Sequence, residues 1–200
     1  MRCNVFTGFA ARVTLSWLLL CAMGWWYGGE LMTLLIPWLE LILRHVDNDF
    51  TPLVSVSAKQ GDSLLQLQVR LRHTLEIGNG RQLPAGLVLM VKHHVLHDIA
   101  PLIVEFTLLF SWPIRYWRQR GLILLYGVVA AFFIIGSTTP FVLLGLLEIQ
   151  LQELAFQAGI IRAEPMILQW LYFCEMGGNW LLAALAVVAC LAPANVKKAL

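Results

Sequence analysis

The chain has 200 residues, of which 59% are hydrophobic and 13% are charged, with a formal net charge of +2. A soluble domain has about 45–50% apolar and about 25% charged residues, so this chain has too few charges to cover a soluble surface. The composition excludes a disulfide scaffold, a disordered chain and a basic nucleic-acid binder, and it predicts a mainly α-helical integral membrane protein.

Four apolar stretches predict membrane-spanning helices, because about 20 residues are needed to cross about 30 Å of hydrocarbon. They cover approximately residues 13–38, 99–114, 121–147 and 166–191, and the second stretch is short. The first stretch follows Arg2 and Arg12 but has no small-residue cleavage site after it. We therefore expect a retained anchor helix rather than a cleaved signal peptide.

The positions of the cations predict the orientation. Arg and Lys occur without any acid in the N-terminal tail, in the link 115–120 and in the C-terminal tail. The positive-inside rule places these three segments, and so both termini, in the cytoplasm of a bacterial inner membrane. The predicted domains are an anchor helix with an interfacial extension (1–43), a periplasmic β region (44–98) and a three-helix membrane region (99–200) with an outward interfacial segment at 148–165.

Between the first two spans, apolar and polar side chains alternate over residues 54–59 and again over residues 65–72. A period of two is typical of a strand with one buried face. Gly61-Asp62 between these runs is a hairpin signal, and a third apolar run covers residues 87–95. The pattern predicts an antiparallel meander of three strands.

Three strands bury too little apolar area to be stable alone, so one face needs a cover. The predicted cover is residues 38–45, a helical continuation of the first span, and the alternative cover is the membrane surface. In this segment Glu40 and Arg44 are spaced to pair at i,i+4, and Trp38, Leu41 and Ile42 form the apolar side. The second outward connection, 148–165, is predicted to be an interfacial helix that ends at Gly159.

Three acids, Glu30, Glu105 and Glu175, fall in the outward halves of the predicted spans. An ionisable group in hydrocarbon is costly, so the three form a candidate intramembrane polar site for protons, a cation or a basic group of a partner. The alternative is that each acid lies near the lipid headgroups, where water or a cation pairs with it.

A cluster of ligand-type side chains, His93, His94 and His97, precedes the second span. In a helix His93 and His97 share a face and are weak candidate metal ligands, whereas the alternative is a set of amphipathic side chains at the membrane boundary. We predict no metal and no cofactor. Cys174 is the one cysteine near the outer face, and it is a nucleophile only if a cationic or imidazole partner activates it.

Small residues in the third and fourth spans permit close helix packing. They form a candidate packing face, within the chain or against a partner, made of Gly127, Ala131, Gly177, Gly178, Ala183 and Ala184.

The order of these segments resembles that of the small inner-membrane proteins encoded beside exosortases. The resemblance is strongest in GLVLMVKHHVLHDIAPLIVEF, followed by Ser111-Trp112-Pro113 and the basic link. The sorting enzyme itself carries a Pro-Cys-Ser-Gly-like nucleophile motif, which this chain lacks. The resemblance therefore implies an accessory role and assigns no site residues.

The sequence favours a non-enzymatic accessory subunit that binds a membrane protein, or a second copy of itself, in envelope assembly, protein sorting or export. One alternative is a membrane-embedded enzyme that uses Cys174 or the cluster His93, His94 and His97 on a lipid-linked or protein substrate. Another is a small transporter component that uses Glu30, Glu105 and Glu175.

Overall fold

A computed structural model describes residues 2–46, 50–59, 62–78, 81–114 and 116–196, and it is mainly helical. The helices are α1 (Arg2–Val46), α2 (Val95–Ser111), α3 (Trp117–Gln157), α4 (Met166–Phe173) and α5 (Asn179–Val196), with a π-helical turn (Cys174–Gly178) between the last two. The strands are β1 (Phe50–Lys59), β2 (Asp62–Leu71), β3 (Leu75–Gly78), β4 (Arg81–Leu83) and β5 (Val88–His94).

In the described part of the chain, three helical segments are long and apolar enough to cross a membrane: Thr7–Val46, Trp117–Gln157 and Met166–Ala192. They correspond to the first, third and fourth predicted spans. The predicted second span is α2, which has 17 residues. At 1.5 Å per residue it is about 25 Å long, somewhat less than the hydrocarbon thickness.

The chain divides into two compact units. Unit 1 contains Met1–Gly28, Leu96–Ile135 and Gly177–Leu200, and unit 2 contains Gly29–Val95 and Gly136–Met176. The sheet therefore belongs to unit 2, and α2 belongs almost entirely to unit 1.

Unit 2 contains the predicted antiparallel meander, with strand order β1-β2-β5. The alternation of the sequence is confirmed, since Leu65, Leu67 and Val69 are fully buried while the residues between them are less so. Strands β1 and β2 are joined as predicted, but Asp62 pairs with Lys59 as the first residue of β2 and is not part of the predicted turn Gly61-Asp62. Gly61 lies outside the described residues.

A second, two-stranded sheet of β3 and β4 lies between β2 and β5 in the chain. The sequence did not predict it, because strands of four and three residues are too short to show a period of two. A turn follows β4, in which the Leu87 amide donates to the Pro84 carbonyl at 3.2 Å and Gly86 has φ +84°. This positive φ is the conformation that a type II turn requires at its third residue.

The second half of α1 lies against the sheet, as predicted for residues 38–45. The amide of Val54 donates to the Glu40 carboxylate at 3.0 Å, which caps an amide of the edge strand β1. Arg44 pairs with the same carboxylate at 3.4 Å, so the predicted i,i+4 pair is confirmed. Further along the helix, a Cβ on Gly29 would meet Ser63 of β2, so a glycine permits the close approach.

The apolar side of this segment differs from the prediction. Leu41 is 54% exposed, whereas the buried positions are Leu35, Leu39 and Leu43. These three residues repeat every four positions along one face of α1. Trp38 is directed to α3 instead, where its indole lies against Gly136.

Residues 148–157 form no separate interfacial helix, because α3 continues through them without a break. The predicted end at Gly159 is confirmed: this residue has φ +75° and its amide donates to the Phe156 carbonyl at 2.8 Å. The Ile160 amide donates to the Ala155 carbonyl at 2.9 Å, and both residues are buried in one apolar cluster. These bonds form a Schellman C-cap.

The fourth predicted span is interrupted. The π-helical turn that joins α4 to α5 contains Gly177 with φ +105°, a backbone conformation that residues other than glycine rarely adopt. In unit 1, α2, α3 and α5 share an apolar core made of Leu109, Ile123, Val187, Cys190 and Leu191.

Candidate functional site

Glu105 is the polar residue of α2 with the most unusual environment. It is 0% exposed, and neither carboxylate oxygen has a hydrogen-bond partner among the described residues. One oxygen would lie 3.9 Å from a Cβ placed on Gly127 of α3, and Leu109 would lie even closer to that atom. The glycine therefore makes room for the Leu109 side chain, and the Glu105 carboxyl group lies at ordinary contact distance beside it.

Two buried hydroxyl residues follow Glu105 on α2. The Ser111 hydroxyl donates to the Thr107 carbonyl at 2.6 Å, which satisfies it within the helix. The Thr107 hydroxyl has no partner among the described residues. Glu105 and Thr107, two positions apart on α2, thus both have buried polar atoms without a hydrogen-bond partner among the described residues.

The other two predicted intramembrane acids have different environments. Glu30 lies on α1 and Glu175 lies in the π-helical turn, and both are exposed. An exposed carboxylate is solvated by water or by lipid headgroups, whereas Glu105 is enclosed by protein. Of the three acids, only Glu105 combines burial with a lack of partners among the described residues.

The three histidines do not share one helix or one strand. His93 and His94 end β5, and His97 lies in the first turn of α2. The helical arrangement predicted for His93 and His97 is therefore wrong, because the chain changes from strand to helix between them. His93 is buried and lies on the covered face of the sheet, whereas the other two histidines are exposed.

Within unit 2, His93 lies close to the π-helical turn. A ring nitrogen of His93 and a carboxylate oxygen of Glu175 are within 4.8 Å of each other. Imidazole and carboxylate are both groups that bind zinc, so His93 stays a candidate metal ligand. The proximity of the two groups was not predicted, because nothing in the sequence indicates the break in the helix that exposes Glu175.

Cys174 has the environment of a structural residue. It is 4% exposed and belongs to an apolar cluster with Val142, Leu168 and Leu171. Reactive cysteines lie in accessible, electropositive surroundings. Burial in an apolar cluster therefore gives the enzyme alternative no support from this residue.

The predicted small-residue face is largely buried within the chain. Gly127, Ala131, Gly178 and Ala183 are buried, Gly177 is partly exposed, and Ala184 is exposed. The first two lie on α3 in unit 1, where Gly127 contacts α2. Four of the six small residues are thus buried inside the molecule, and Ala184 is the most accessible to a partner.

The sequence did not predict a binding surface on the outward face of the three-stranded sheet. Its central row pairs Leu53 with Gln68 and Gln68 with Met90. Leu53 is 57% exposed and Met90 42% exposed, and Val88 beside Met90 is exposed as well. The signal was present in the sequence, because these apolar residues occupy positions that the alternation assigns to polar side chains.

Cations flank this apolar row. Arg70 lies two residues beyond Gln68 on β2, and Lys92 lies two residues beyond Met90 on β5. Arg72, which directly follows β2, donates to the hydroxyl of Thr51 on the edge strand β1 at 3.1 Å. The described side chains of this outward face include cations and no acid. We call the set Leu53, Gln68, Arg70, Val88, Met90 and Lys92 the outward patch.

No family model matches the chain, and neither the curated proteins nor the solved structures include one that is significantly similar to it.

Proposed function

We propose that the chain is a non-enzymatic accessory subunit of the bacterial cytoplasmic membrane, and that it binds a membrane protein partner through the outward patch. In this proposal both termini lie in the cytoplasm and the sheet lies in the periplasm, as the distribution of Arg and Lys indicates. Envelope assembly, protein sorting and export are the settings that fit such a subunit. The resemblance to exosortase-associated proteins favours sorting.

The observation that carries the proposal is the contrast between the two faces of the sheet. One face is buried against the chain's own helices, and the other exposes Leu53, Val88 and Met90 in adjacent strands. Methionine and arginine are enriched in protein interfaces, and a few buried anchors supply most of the binding energy. An exposed apolar row between cations therefore has the composition of a binding surface.

The charge of the patch favours a different protein over a second copy of the same chain. In a two-fold symmetric dimer the same patch meets itself. Arg70 and Lys92 of one copy would then approach the same cations of the other, and like charges at an interface oppose association. A partner with acidic side chains around an apolar segment complements the patch.

Purification in mild detergent, followed by identification of retained proteins by mass spectrometry, tests the proposal. We expect Leu53→Ala/Met90→Ala to lower partner recovery at least about tenfold, since each interface anchor typically contributes more than 1 kcal/mol. Arg70→Ala should lower recovery at low salt, and its difference from the unaltered protein should shrink at high salt. The matched controls are Leu41→Ala and Arg44→Ala, which remove an exposed leucine and an exposed arginine of unit 2 from α1 instead of from the sheet.

Unchanged recovery with the patch variants, at equal protein levels, would contradict the proposal. Cys174→Ala should leave function in the host intact. If this substitution abolishes function while the protein still accumulates and still retains its partner, the enzyme alternative replaces the accessory role.

The enclosed carboxyl of Glu105 favours a second candidate function, a transporter component that carries protons or a cation. Buried acids in membrane helices commonly belong to ion pathways. Glu105→Gln keeps the shape of the side chain and removes its charge. Loss of host function with this variant, together with unchanged partner recovery, would favour the transporter role over the accessory role.

A further inference from the structure

A groove in unit 1 opens between the first half of α1, the end of α2 and the start of α3. Its volume is about 670 Å³. Its apolar lining consists of Leu15, Leu19, Leu20, Met23, Phe110 and Ile114. A groove of this composition on apolar helices is suited to hydrocarbon rather than to a polar solute.

Ser16 and two arginines, Arg12 and Arg120, complete the lining. The guanidinium group of Arg120 donates to the Phe110 carbonyl at 2.8 Å, which fixes it beside the end of α2. The described residues that line the groove include no acid. A guanidinium group binds phosphate with several parallel N–H donors, so two of them without an acid favour a phosphate ligand.

The packing of the helices places both cations at the same end of the groove. Gly24 of α1 lies against Ile99 and Ile103 of α2. Phe110 is seven residues beyond Ile103, or about 10 Å along the helix. Along α1, the groove extends from Met23, next to Gly24, back to Arg12. Phe110, near the end of α2, lines the same groove. Helix α2 therefore runs antiparallel to α1, and its end lies beside Arg12.

The length of the groove matches one leaflet of a bilayer. Arg12 and Met23 are eleven positions apart on α1, which corresponds to about 16 Å at 1.5 Å per residue. The hydrocarbon core of a bilayer is about 30 Å thick, so one leaflet contributes about half of that. A ligand that fills the groove thus has an anionic head at the membrane surface and a chain that reaches the midplane.

We propose that this groove binds one anionic phospholipid of the cytoplasmic leaflet, with its phosphate between Arg12 and Arg120 and one acyl chain along α1. The inference rests on the membrane insertion and orientation in the proposed function, but it needs neither the partner nor the outward patch. A free phosphate would leave the apolar length of the groove unfilled. Basic pockets between helices at the cytoplasmic surface are known sites for anionic headgroups.

Native mass spectrometry of the purified full chain tests the proposal. The protein is equilibrated in detergent with phosphatidylglycerol and phosphatidylcholine of the same acyl composition, and the retained lipids are counted. We expect one phosphatidylglycerol to be retained in preference to phosphatidylcholine, with a preference that weakens at high salt. Soluble glycerol phosphate should not displace it, because the acyl chain supplies much of the binding.

Substitutions distinguish the binding of the lipid headgroup from the binding of the acyl chain. Arg12→Gln, at an exposed position, should lower the preference for phosphatidylglycerol about fivefold, and Arg12→Gln/Arg120→Gln about 25-fold. Arg118→Gln is the matched control, because Arg118 is exposed in the same turn of α3 but does not line the groove. Ser16→Phe should lower retention of the lipid by filling the groove, whereas Leu18→Phe, on the exposed side of α1, should not.

Equal retention of the two lipids, or an unchanged preference in Arg12→Gln, would overturn the proposal. Displacement by glycerol phosphate would also overturn it, since the site would then bind phosphate alone. The outcome is independent of the outward patch. Variants of that patch that lose the partner should keep phosphatidylglycerol, and Arg12→Gln should keep the partner.

Discussion

At the scale of single residues, Glu105 and Gly127 lie where α2 and α3 pack closely together. Glycine is less favourable than alanine inside a helix by about 1 kcal/mol, so a glycine in α3 needs a structural reason. The reason is space, because a side chain at Gly127 would collide with Leu109 of α2. The sequence showed that an acid lies in an apolar helix, but its enclosure depends on how closely α2 and α3 pack and was not predictable from either residue alone.

Glu105→Leu should stabilise the protein. The substitution replaces two unsatisfied carboxylate oxygens with an apolar group of similar size, and an unsatisfied buried group costs about 1–3 kcal/mol. Thermal unfolding in detergent measures the change. Thr107→Val, which removes another unsatisfied buried group, is the matched comparison and should also be neutral or stabilising. A marked loss of stability in Glu105→Leu alone would show that the carboxyl group holds an ion or another ligand.

Gly136→Ala should destabilise unit 2. The added Cβ would overlap the indole of Trp38, and overpacking of this kind costs about 1–3 kcal/mol. Gly121→Ala in the same helix is the control, since no atom lies within 4 Å of the new Cβ. That variant should gain about 0.5–1 kcal/mol from helix propensity. Equal unfolding midpoints for the two variants would show that Trp38 moves away without cost.

At the scale of elements, the sequence predicted whatever depends on a regular period and missed whatever depends on contacts between distant segments. The alternation over β1 and β2 sets which face is buried, so the meander was predictable, whereas the predicted turn Gly61-Asp62 missed the observed pairing of Lys59 with Asp62. The same pattern does not show that Leu53 and Met90 lie in adjacent strands. The break at Gly177 was missed because the apolar run of the fourth span continues through it.

Leu67→Asp tests the buried face of the sheet. Leu67 is 0% exposed, so the substitution buries an unpaired charge and should cost several kcal/mol. Gln66→Asp, one position earlier, directs its side chain to the opposite face and should change stability by less than about 0.5 kcal/mol. Protein levels and resistance to protease in membranes give the comparison. Similar levels for the two variants would contradict the assigned register.

At the scale of the whole molecule, the number of membrane crossings depends on whether α2 crosses the membrane. Its 17 residues are about 25 Å long, and most of its inner positions, Leu102, Ile103, Glu105, Thr107 and Leu109 among them, are buried by other parts of the chain. A helix enclosed by protein needs fewer lipid-facing residues, and a short span is accommodated by local thinning of the bilayer at modest cost. The basic link 115–120 favours a crossing, because without one the link lies on the periplasmic side of the membrane, contrary to the positive-inside rule.

Reporter fusions distinguish the two topologies, because α2 determines the side of everything after it. With four crossings, a reporter active only in the periplasm should work after Gly80 and Gly159 and be silent after Gln119 and Leu200. With only the three crossings of α1, α3 and the α4–α5 segment, the reporter should be silent after Gly159 and active after Gln119 and Leu200. Gly80 is periplasmic in both topologies and serves as the internal control. We expect the four-crossing pattern, since it alone places Arg118, Arg120 and both termini on the cytoplasmic side. Periplasmic activity at Gln119 together with silence at Gly159 would show that α2 turns back within the outer half of the membrane, and the groove at Arg12 and Arg120 would then lack its shared membrane surface.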